Sequence, residues 1–351
     1  MRLTTLNIHQ FRCLDDVHLD LHPRVNIITG ENGAGKTSVL EAVYFLARAK
    51  SFRNSQADKL IQRDADLLRV TGESDSGDRW GIERTQGQTR LRKNGDKGDG
   101  MEDRVRSFPV VAIDPGLHRL IEEGPTHRRA FLDWGVFHVE HAFYPCWRRY
   151  RKALDQRNKT IRTGEQGIEN WESELVAMGE RIDAMRRSYV KRLAEEMRQQ
   201  VALHLPDFTL QVRYHPGWSG ERALGETLQQ SREADRKRGY TGAGPHAADI
   251  RIKLKDRSPK GVVSRGEQKM LSLLMLAAQS MLLAQSTETT PVLLIDDIAA
   301  ELDDSNQARA AELLGSTQAQ LLLTTLDGER TSAHYGDKVM FHVEHGGVVE
   351  G

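Results

Sequence analysis

The chain opens on alternating apolar and polar positions. Leu3, Leu6 and Ile8, then Val17, Leu19 and Leu21, mark the inward sides of two strands, and the run Val25-Asn26-Ile27-Ile28 marks a third, more buried one. A glycine-rich segment at 30–35 separates that run from a helix beginning near Thr37, with Val39, Leu40, Val43 and Leu46 on one face. Residues 66–95 read as a short antiparallel meander ending at Asn94-Gly95, a pair suited to a tight hairpin turn. A polar loop at 94–100 precedes a buried strand at 108–113, closed by Asp114-Pro115-Gly116.

From about 117 to 240 the period becomes helical. Trp171, Leu175, Met178, Ile182, Met185, Tyr189, Leu193, Met197 and Val201 recur every three or four residues. That is one apolar stripe on a helix of about 33 residues, roughly 50 Å long. Together with the basic segment before it, the stripe predicts a helical hairpin, a stub of coiled coil. Alternating α/β pattern returns after 250: a strand at 250–254, a helix at 265–285, a buried strand at 292–295, a helix near 305–314, a strand at 320–324 and a last pair at 339–349 around Gly346-Gly347. The fold class is α/β: one lobe from residues 1–115 and 250–351, with a mainly helical second lobe at 116–249 inserted into it.

Composition narrows the function classes. Of 351 residues, 38% are hydrophobic and 28% charged, and the mean hydropathy is −0.57, which suits a water-soluble chain with a real core. The longest apolar run, 270–278, is interrupted by Ser272 and far short of the roughly 18 residues a membrane span needs. The N-terminus lacks a secretory apolar region. Two cysteines, Cys13 and Cys146, make neither a CxxC motif nor a disulfide framework, so a reducing compartment is expected. Fifty basic residues balance fifty acidic ones, leaving no global field to attract a polyanion. One local exception is 148–162, where Arg148, Arg149, Arg151, Lys152, Arg157, Lys159 and Arg162 face a single acid, Asp155.

Three segments carry chemistry. Gly30-Glu31-Asn32-Gly33-Ala34-Gly35-Lys36-Thr37 fits G-x-x-x-x-G-K-[ST], and it lies between a buried strand and a helix, as a phosphate loop must. Its glycines let backbone N–H groups turn toward phosphates, and the helix start adds its positive dipole end. Lys36 is expected to reach the β- and γ-phosphates of ATP and Thr37 to hold Mg²⁺, with Ser38 completing the nucleotide-binding set. The apolar strand Pro291-Val292-Leu293-Leu294-Ile295 delivers Asp296 toward the same Mg²⁺ and Asp297 toward the attacking water. Ser264-Arg265-Gly266-Glu267 opens an apolar helix. Ser264 and Glu267 fit a capping box, and the same start, with small Gly266, also fits an anion-binding helix end.

This combination resembles the ABC-type ATPase heads of the SMC group, and more narrowly the RecF family. The matching segments are Phe11-Arg12, GENGAGKTSVLEAVYFL at 30–46, Ser51-Phe52-Arg53, GPTHRRAFLDWGVFHVE at 124–140, Gln156-Arg157-Asn158, Gly244-Pro245-His246 with Asp249, SRGEQK at 264–269 and LLIDDIAAELDD at 293–304. The resemblance implies a P-loop ATPase lobe and a cytoplasmic DNA-binding ATPase of recombinational repair and replication restart. It implies ATP-dependent homodimerisation, binding to double-stranded DNA and its junctions with single strands, and work with RecR and RecO to load RecA. In that family Ser264 and Gly266 act in trans on the partner's nucleotide, and Ala300-Glu301-Leu302-Asp303 resembles the D-loop. Arg53, more loosely Arg12, and on the basic helix Arg148, Arg149, Arg151 and Lys152 become candidate DNA or phosphate contacts; Arg12 and Arg53 fit surface salt bridges equally well.

The sequence departs from the superfamily at three points. No switch histidine follows the strand after the acidic motif, where Leu323 leads into Thr324 and Thr325; Asp297 stands where most ABC proteins have Glu; and no Q-loop glutamine marks Ile113-Asp114. These suit a slow, switch-like ATPase, and with the resemblance imply a weak, DNA-stimulated one. The rival readings are a transporter's ATP-binding subunit and a nucleotide-switched scaffold without functional turnover. The 228 positions between Lys36 and Ser264 are long for a transporter domain. Phe-His-Val-Glu-His at 137–141 and 341–345 lacks the H-E-x-x-H metal spacing, and the 242–244 glycine run lacks the context of a dinucleotide fingerprint.

Overall fold

The N-terminal alternation folds as strands β1 (Leu3–Phe11) and β2 (Leu14–Asp20), whose apolar positions are buried and whose polar ones face outward. The phosphate-loop strand β3 (Val25–Thr29) leads to helix α1 (Lys36–Arg48). Then come β4 (Leu67–Ser74), β5 (Arg79–Thr85), β6 (Gln88–Lys93), a two-residue β7 (Asp96–Lys97), α2 (Met101–Ser107) and β8 (Val110–Ile113). The meander therefore runs one strand beyond Asn94-Gly95. Those two residues both have positive φ (53° and 92°), the conformation a two-residue hairpin turn requires.

Helices α3 (Arg119–Glu122), α4 (Pro125–Val139), α5 (Phe143–Thr163) and α6 (Glu169–His204) follow, then β9 (Leu210–His215), α7 (Leu224–Arg238) and β10 (Asp249–Leu254). The chain closes with α8 (Arg265–Ser286), β11 (Val292–Ile295), α9 (Asp304–Ser316), β12 (Gln320–Thr324), α10 (Gly328–Ser332), β13 (Val339–Glu344) and β14 (Gly347–Glu350). This computed structural model describes residues 1–53, 56–97, 100–219, 221–255, 258–259, 263–287, 289–297 and 302–351.

The chain divides into two units, Met1–His118 with Arg265–Gly351, and Arg119–Ser264. The first holds two six-stranded sheets. One is antiparallel, in the order β2-β1-β4-β5-β6-β7; the other, β14-β13-β3-β12-β11-β8, is parallel except for the terminal β14 hairpin. Helix α1 packs on strands of both, and its Val39, Leu40, Val43, Phe45 and Leu46 are fully buried among residues from each sheet. Gln320 fastens the sheets directly: its amide accepts from Leu3 N–H at 2.8 Å and donates to Leu3 O at 2.7 Å. Buried Arg104 spends its guanidinium on carbonyls, donating to Leu46 O, Gly81 O and Arg92 O, and burial lowers its pKa to about 10.

The second unit is built on the expected hairpin of α5 and α6, with Leu175, Met178, Ile182, Tyr189, Leu193, Met197 and Val201 buried along α6. Two corrections to the sequence expectation arise here. The strand at 250–254 does not join the ATPase-type lobe; as β10 it pairs antiparallel with β9, so the boundary falls at 264/265 rather than at 250. The helical lobe therefore contains a two-stranded ladder. Its partner strand β9, with pattern Leu-Gln-Val-Arg-Tyr-His, is short and largely half-exposed, which leaves little periodic signal.

Several of the family-type segments meet in this unit as a buried polar lock. Arg157, fully buried, bonds Glu172, Asp235 and Thr241, while Asn158 accepts from the Thr241 amide and hydroxyl. Arg186 bonds Asp133 at 2.6 Å and Pro245 O at 2.7 Å, and Arg128 grips Asp249 with two nitrogens. Tyr150 donates to His246 Nδ1 at 2.6 Å, and His246 Nε2–H donates to Thr241 O. These residues hold α4, α5 and α6 to the 241–249 segment. Arg157 is thereby removed from the exposed basic patch that its neighbours suggested.

Candidate nucleotide-binding site

The phosphate loop is shaped by glycines that no other residue replaces cheaply. Gly30 has φ +144°, and a Cβ there would lie 2.4 Å from Val343 O on β13. Gly35, at φ +120°, would meet Cys13 Sγ at 2.9 Å and Leu14 Cδ2 at 3.0 Å. Gly33, at φ +82°, faces open space, so its requirement is conformational only. Lys36 folds back over the loop, donating from Nζ to Gly30 O at 2.8 Å and Glu31 O at 2.9 Å. Only 8% exposed, its ammonium is pushed below the ordinary lysine pKa by burial, an effect opposed by Asp297 and then Asp296.

The acidic strand reaches the loop across one intervening strand. Strand β12 lies between β3 and β11, pairing in parallel with both. The Thr37 hydroxyl, at the start of α1, donates to Asp296 Oδ1 at 2.8 Å. The Thr324 hydroxyl, at the end of β12, donates to the same oxygen at 2.9 Å and accepts the Asp297 N–H at 2.9 Å. Asp297 has φ +48°, a left-handed turn that costs a non-glycine residue on the order of 1 kcal/mol. Thr324 carried no assignment from sequence; its only signal was a hydroxyl at the end of the strand following the acidic one. Thr325, the residue after β12, is 2% exposed and turned inward to Thr331 and the 327 backbone.

The site fits a magnesium nucleotide by the chemistry of its donors. Thr37 and Asp296 supply two hard oxygens in contact, and no cluster of three or more ligating side chains occurs among the described residues. Mg²⁺ favours that arrangement, taking one or two carboxylates and completing its shell from phosphate and water.

The other candidates lie on other elements. Ser264 is exposed and ends the second unit; Gly266 lies in the first turn of α8, where a Cβ would be 3.5 Å from Asn306 Nδ2 at the start of α9. Helix α8 packs on α9 and on the 115–118 turn, whereas α1 packs on α2 and on strands of the two sheets. Of the D-loop-like residues, Ala300 and Glu301 lie outside the described ones; Asp303 caps α9 by accepting Asn306 N–H at 2.8 Å. Arg12 is spent on a buried acid, donating to both oxygens of Glu41 at 2.9–3.0 Å and to Lys59 O. Ser51 also donates to Glu41 and accepts the Arg53 N–H, leaving the Arg53 side chain exposed. On α5, Arg148, Arg149, Arg151 and Lys152 are all exposed; Arg149 pairs with Glu174 at 2.6 Å and Arg148 lies over the Tyr144 ring.

Comparison with known proteins gives the family and the fold. The model of the RecF/RecN/SMC N terminal domain family matches residues 2–347. The DNA replication and repair protein RecF of Vibrio atlanticus is 36% identical over 359 residues, covering 100% of both chains. That of Aliivibrio fischeri is 34% identical over the same length and coverage. A solved structure of the recombination mediator protein RecF with ATP, from the RecFOR pathway, superposes with a TM-score of 0.86 at 25% identity, covering 99% of this chain and 97% of that one. The Smc head domain from Pyrococcus furiosus, bound to the C-terminal domain of ScpA, shares the fold at a TM-score of 0.60 and 17% identity, over 99% of this chain and 96% of that one.

Proposed function

The chain belongs to the RecF family within the RecF/RecN/SMC N terminal domain group, and on that premise we propose that it is an ATP-dependent DNA-binding protein of recombinational repair and replication restart. The transporter alternative falls with that membership. The observation that carries the reading is the Thr37–Asp296 hydrogen bond, which unites the phosphate loop and the acidic strand at one point.

In this reading the backbone N–H groups of 30–35 and the N-terminus of α1 receive the phosphates, with Lys36 turning from its carbonyl partners to the β- and γ-phosphates. Thr37 and Asp296 hold Mg²⁺, which when bound neutralises charge developing on the phosphates. Asp297 orients the attacking water and accepts its proton. The short Asp297 side chain and the inward Thr325 suit slow turnover, stimulated by DNA.

Two copies close on ATP, each presenting Ser264 and Gly266 to the other's γ-phosphate. The exposure of Ser264 just before α8 supports this, because a helix N-terminus suits an anionic phosphate. Pairing doubles the exposed cations Arg148, Arg151, Lys152 and Arg53, giving a chain of zero net charge a positive surface for duplex DNA and ss/dsDNA junctions. Hydrolysis reopens the pair and releases DNA, and RecR with RecO are the partners in loading the recombinase, in the cytoplasm. No helix among the described residues is long and apolar enough to cross a membrane. The direct test of the site is ATP binding by Lys36→Ala. The proposal expects binding to fall by two orders of magnitude or more, and unchanged affinity contradicts it.

A further inference from the structure

We propose that Thr324 is the positioning residue of the acidic pair: its single hydroxyl sets the orientation of the Asp296 carboxylate and the backbone turn at Asp297. The inference rests on the reading of Asp296 and Asp297 given above. Thr324 is 3% exposed and lies beneath both carboxylate-bearing residues at the C-terminal end of β12. Its proton goes to Asp296 Oδ1 and its lone pair receives the Asp297 N–H, each at 2.9 Å, so the hydroxyl serves two neighbouring acids at once, as donor to one and acceptor from the other.

Geometry explains why this position has such leverage. Asp296 Oδ1 already receives the Thr37 hydroxyl, and the backbone of Asp296 is tied on its far side by N–H to Ile113 O at 2.9 Å. The two hydroxyls on one oxygen fix the carboxylate plane relative to the start of α1. Asp297 departs from the strand at φ +48°, and its amide is anchored to β12 through the Thr324 oxygen. Threonine suits the position because its β-branched side chain is stiff at χ1 in a strand, so the hydroxyl direction is set in advance. Removing the hydroxyl leaves the methyl packing of a valine yet takes the acceptor from the Asp297 amide and strips one donor from a charged acceptor.

The test compares Thr324→Val, Thr324→Ser and Asp296→Asn, using ATP and Mg²⁺ as probes and, in the nucleotide-free protein, hydrogen exchange of a peptide spanning 293–297. Thr324→Val should raise the Mg²⁺ concentration for half-maximal ATP binding about tenfold and accelerate exchange in that peptide about tenfold. Thr324→Ser, which retains the hydroxyl, should restore both to within about threefold of wild type, a rescue that a purely packing role does not give. If Thr324→Val fails to fold, Thr324→Cys, a weak donor, replaces it and should fall between Val and Ser. Wild-type Mg²⁺ requirement and exchange in Thr324→Val or Thr324→Cys overturn the inference. If Asp296→Asn also leaves the Mg²⁺ requirement unchanged, the reading of the acidic pair itself is what fails.

Discussion

Thr37 and Asp296 stand 259 positions apart in the chain and meet through a 2.8 Å hydrogen bond. They meet because β12 inserts between β3 and β11, bringing the ends of two non-adjacent strands over its own C-terminus. The bond places the residues of the proposed metal site in register. Such preorganisation is what a phosphoryl-transfer site needs, since positioning and electrostatics supply most of its catalysis.

Asp297 is assigned to water and Asp296 to the metal, so the two isosteric variants should separate. Asp297→Asn is expected to bind ATP within about threefold of wild type while hydrolysis drops about 10²–10⁴-fold, the usual contribution of a general base. Equilibrium nucleotide binding and single-turnover hydrolysis measure the two quantities. Unchanged hydrolysis would contradict the role of Asp297, and unchanged DNA loading and release beside abolished hydrolysis would favour a nucleotide-switched scaffold.

The loop glycines differ in what they exclude, and the difference is measurable. Gly30→Ala would push a methyl to 2.4 Å from the Val343 carbonyl, against backbone that cannot swing aside, at φ +144°. It should destabilise the protein and abolish ATP binding. Gly33→Ala meets nothing within 4 Å and carries only the left-handed penalty of about 1 kcal/mol. Thermal melting with and without ATP ranks them, and equal damage from both contradicts the loop geometry.

Burial holds the Lys36 ammonium below the ordinary lysine value of 10.5, with Asp297 and Asp296 opposing the shift. The charged form is the one that attracts phosphate, so ATP affinity falls as pH rises through the lowered value, earlier than an ordinary lysine dictates. Phosphates favour the ammonium in turn, so binding takes up protons in that range. Calorimetry at a series of pH values below 10.5, in two buffers of different ionisation enthalpy, should record net uptake. No uptake in wild type, or the same uptake in Lys36→Ala, contradicts the assignment.

The polar lock of the second unit makes a stability prediction. Arg157→Ala removes the fully buried cation between Asp235 and Glu172, which keep only the more exposed Arg238 and Arg232, and should cost up to about 3 kcal/mol in urea denaturation. Arg149→Ala removes an exposed pair with Glu174 and should leave the midpoint nearly unchanged. His246 adds a pH signature. Burial lowers its pKa below 6.5, so the unfolded chain binds the extra proton first, and stability falls as pH drops below about 6.5. His215, also lowered, contributes with the same sign, so His246→Gln should weaken the acid sensitivity without removing it.

Binding of DNA by α5 should be electrostatic and indifferent to sequence. Replacing Arg148, Arg151 and Lys152 together by alanine should weaken duplex binding. The slope of log affinity against log salt should also shrink by about 0.9 for each phosphate that is no longer neutralised. Arg149→Ala should do less, because Glu174 already balances its charge. An unaltered slope in the triple variant moves the DNA surface elsewhere.

Local patterns were legible where period and burial coincide: the α1 face, the α6 stripe and the apolar strand before Asp296 all appear as the sequence implied. The phosphate loop was legible because Gly30, Gly33 and Gly35 all take positive φ, a local need that the spacing of the motif records. The contacts of Gly30 with Val343 and of Gly35 with Cys13 and Leu14 appear only in the fold. What escaped were relationships made only by the folded chain. Strand β10 looked like the start of the returning α/β pattern, and its pairing with the weakly patterned β9 decided otherwise. Arg157 counted toward a basic surface until Glu172 and Asp235, one of them far along the chain, took it inside. Arg12 likewise meets Glu41, and Thr324 acquires its meaning only beside Asp296.

At the centre of the proposed function, nucleotide joins two copies, and the joined form is the one that holds DNA. Light scattering settles this, run on the protein alone, with saturating ATP and Mg²⁺, and then with duplex DNA. The mass should double only when ATP is present, should stay single in Lys36→Ala, and the doubled form should bind duplex more tightly. A mass that remains at one chain in saturating ATP, with duplex affinity the same whether or not nucleotide is present, contradicts the proposal.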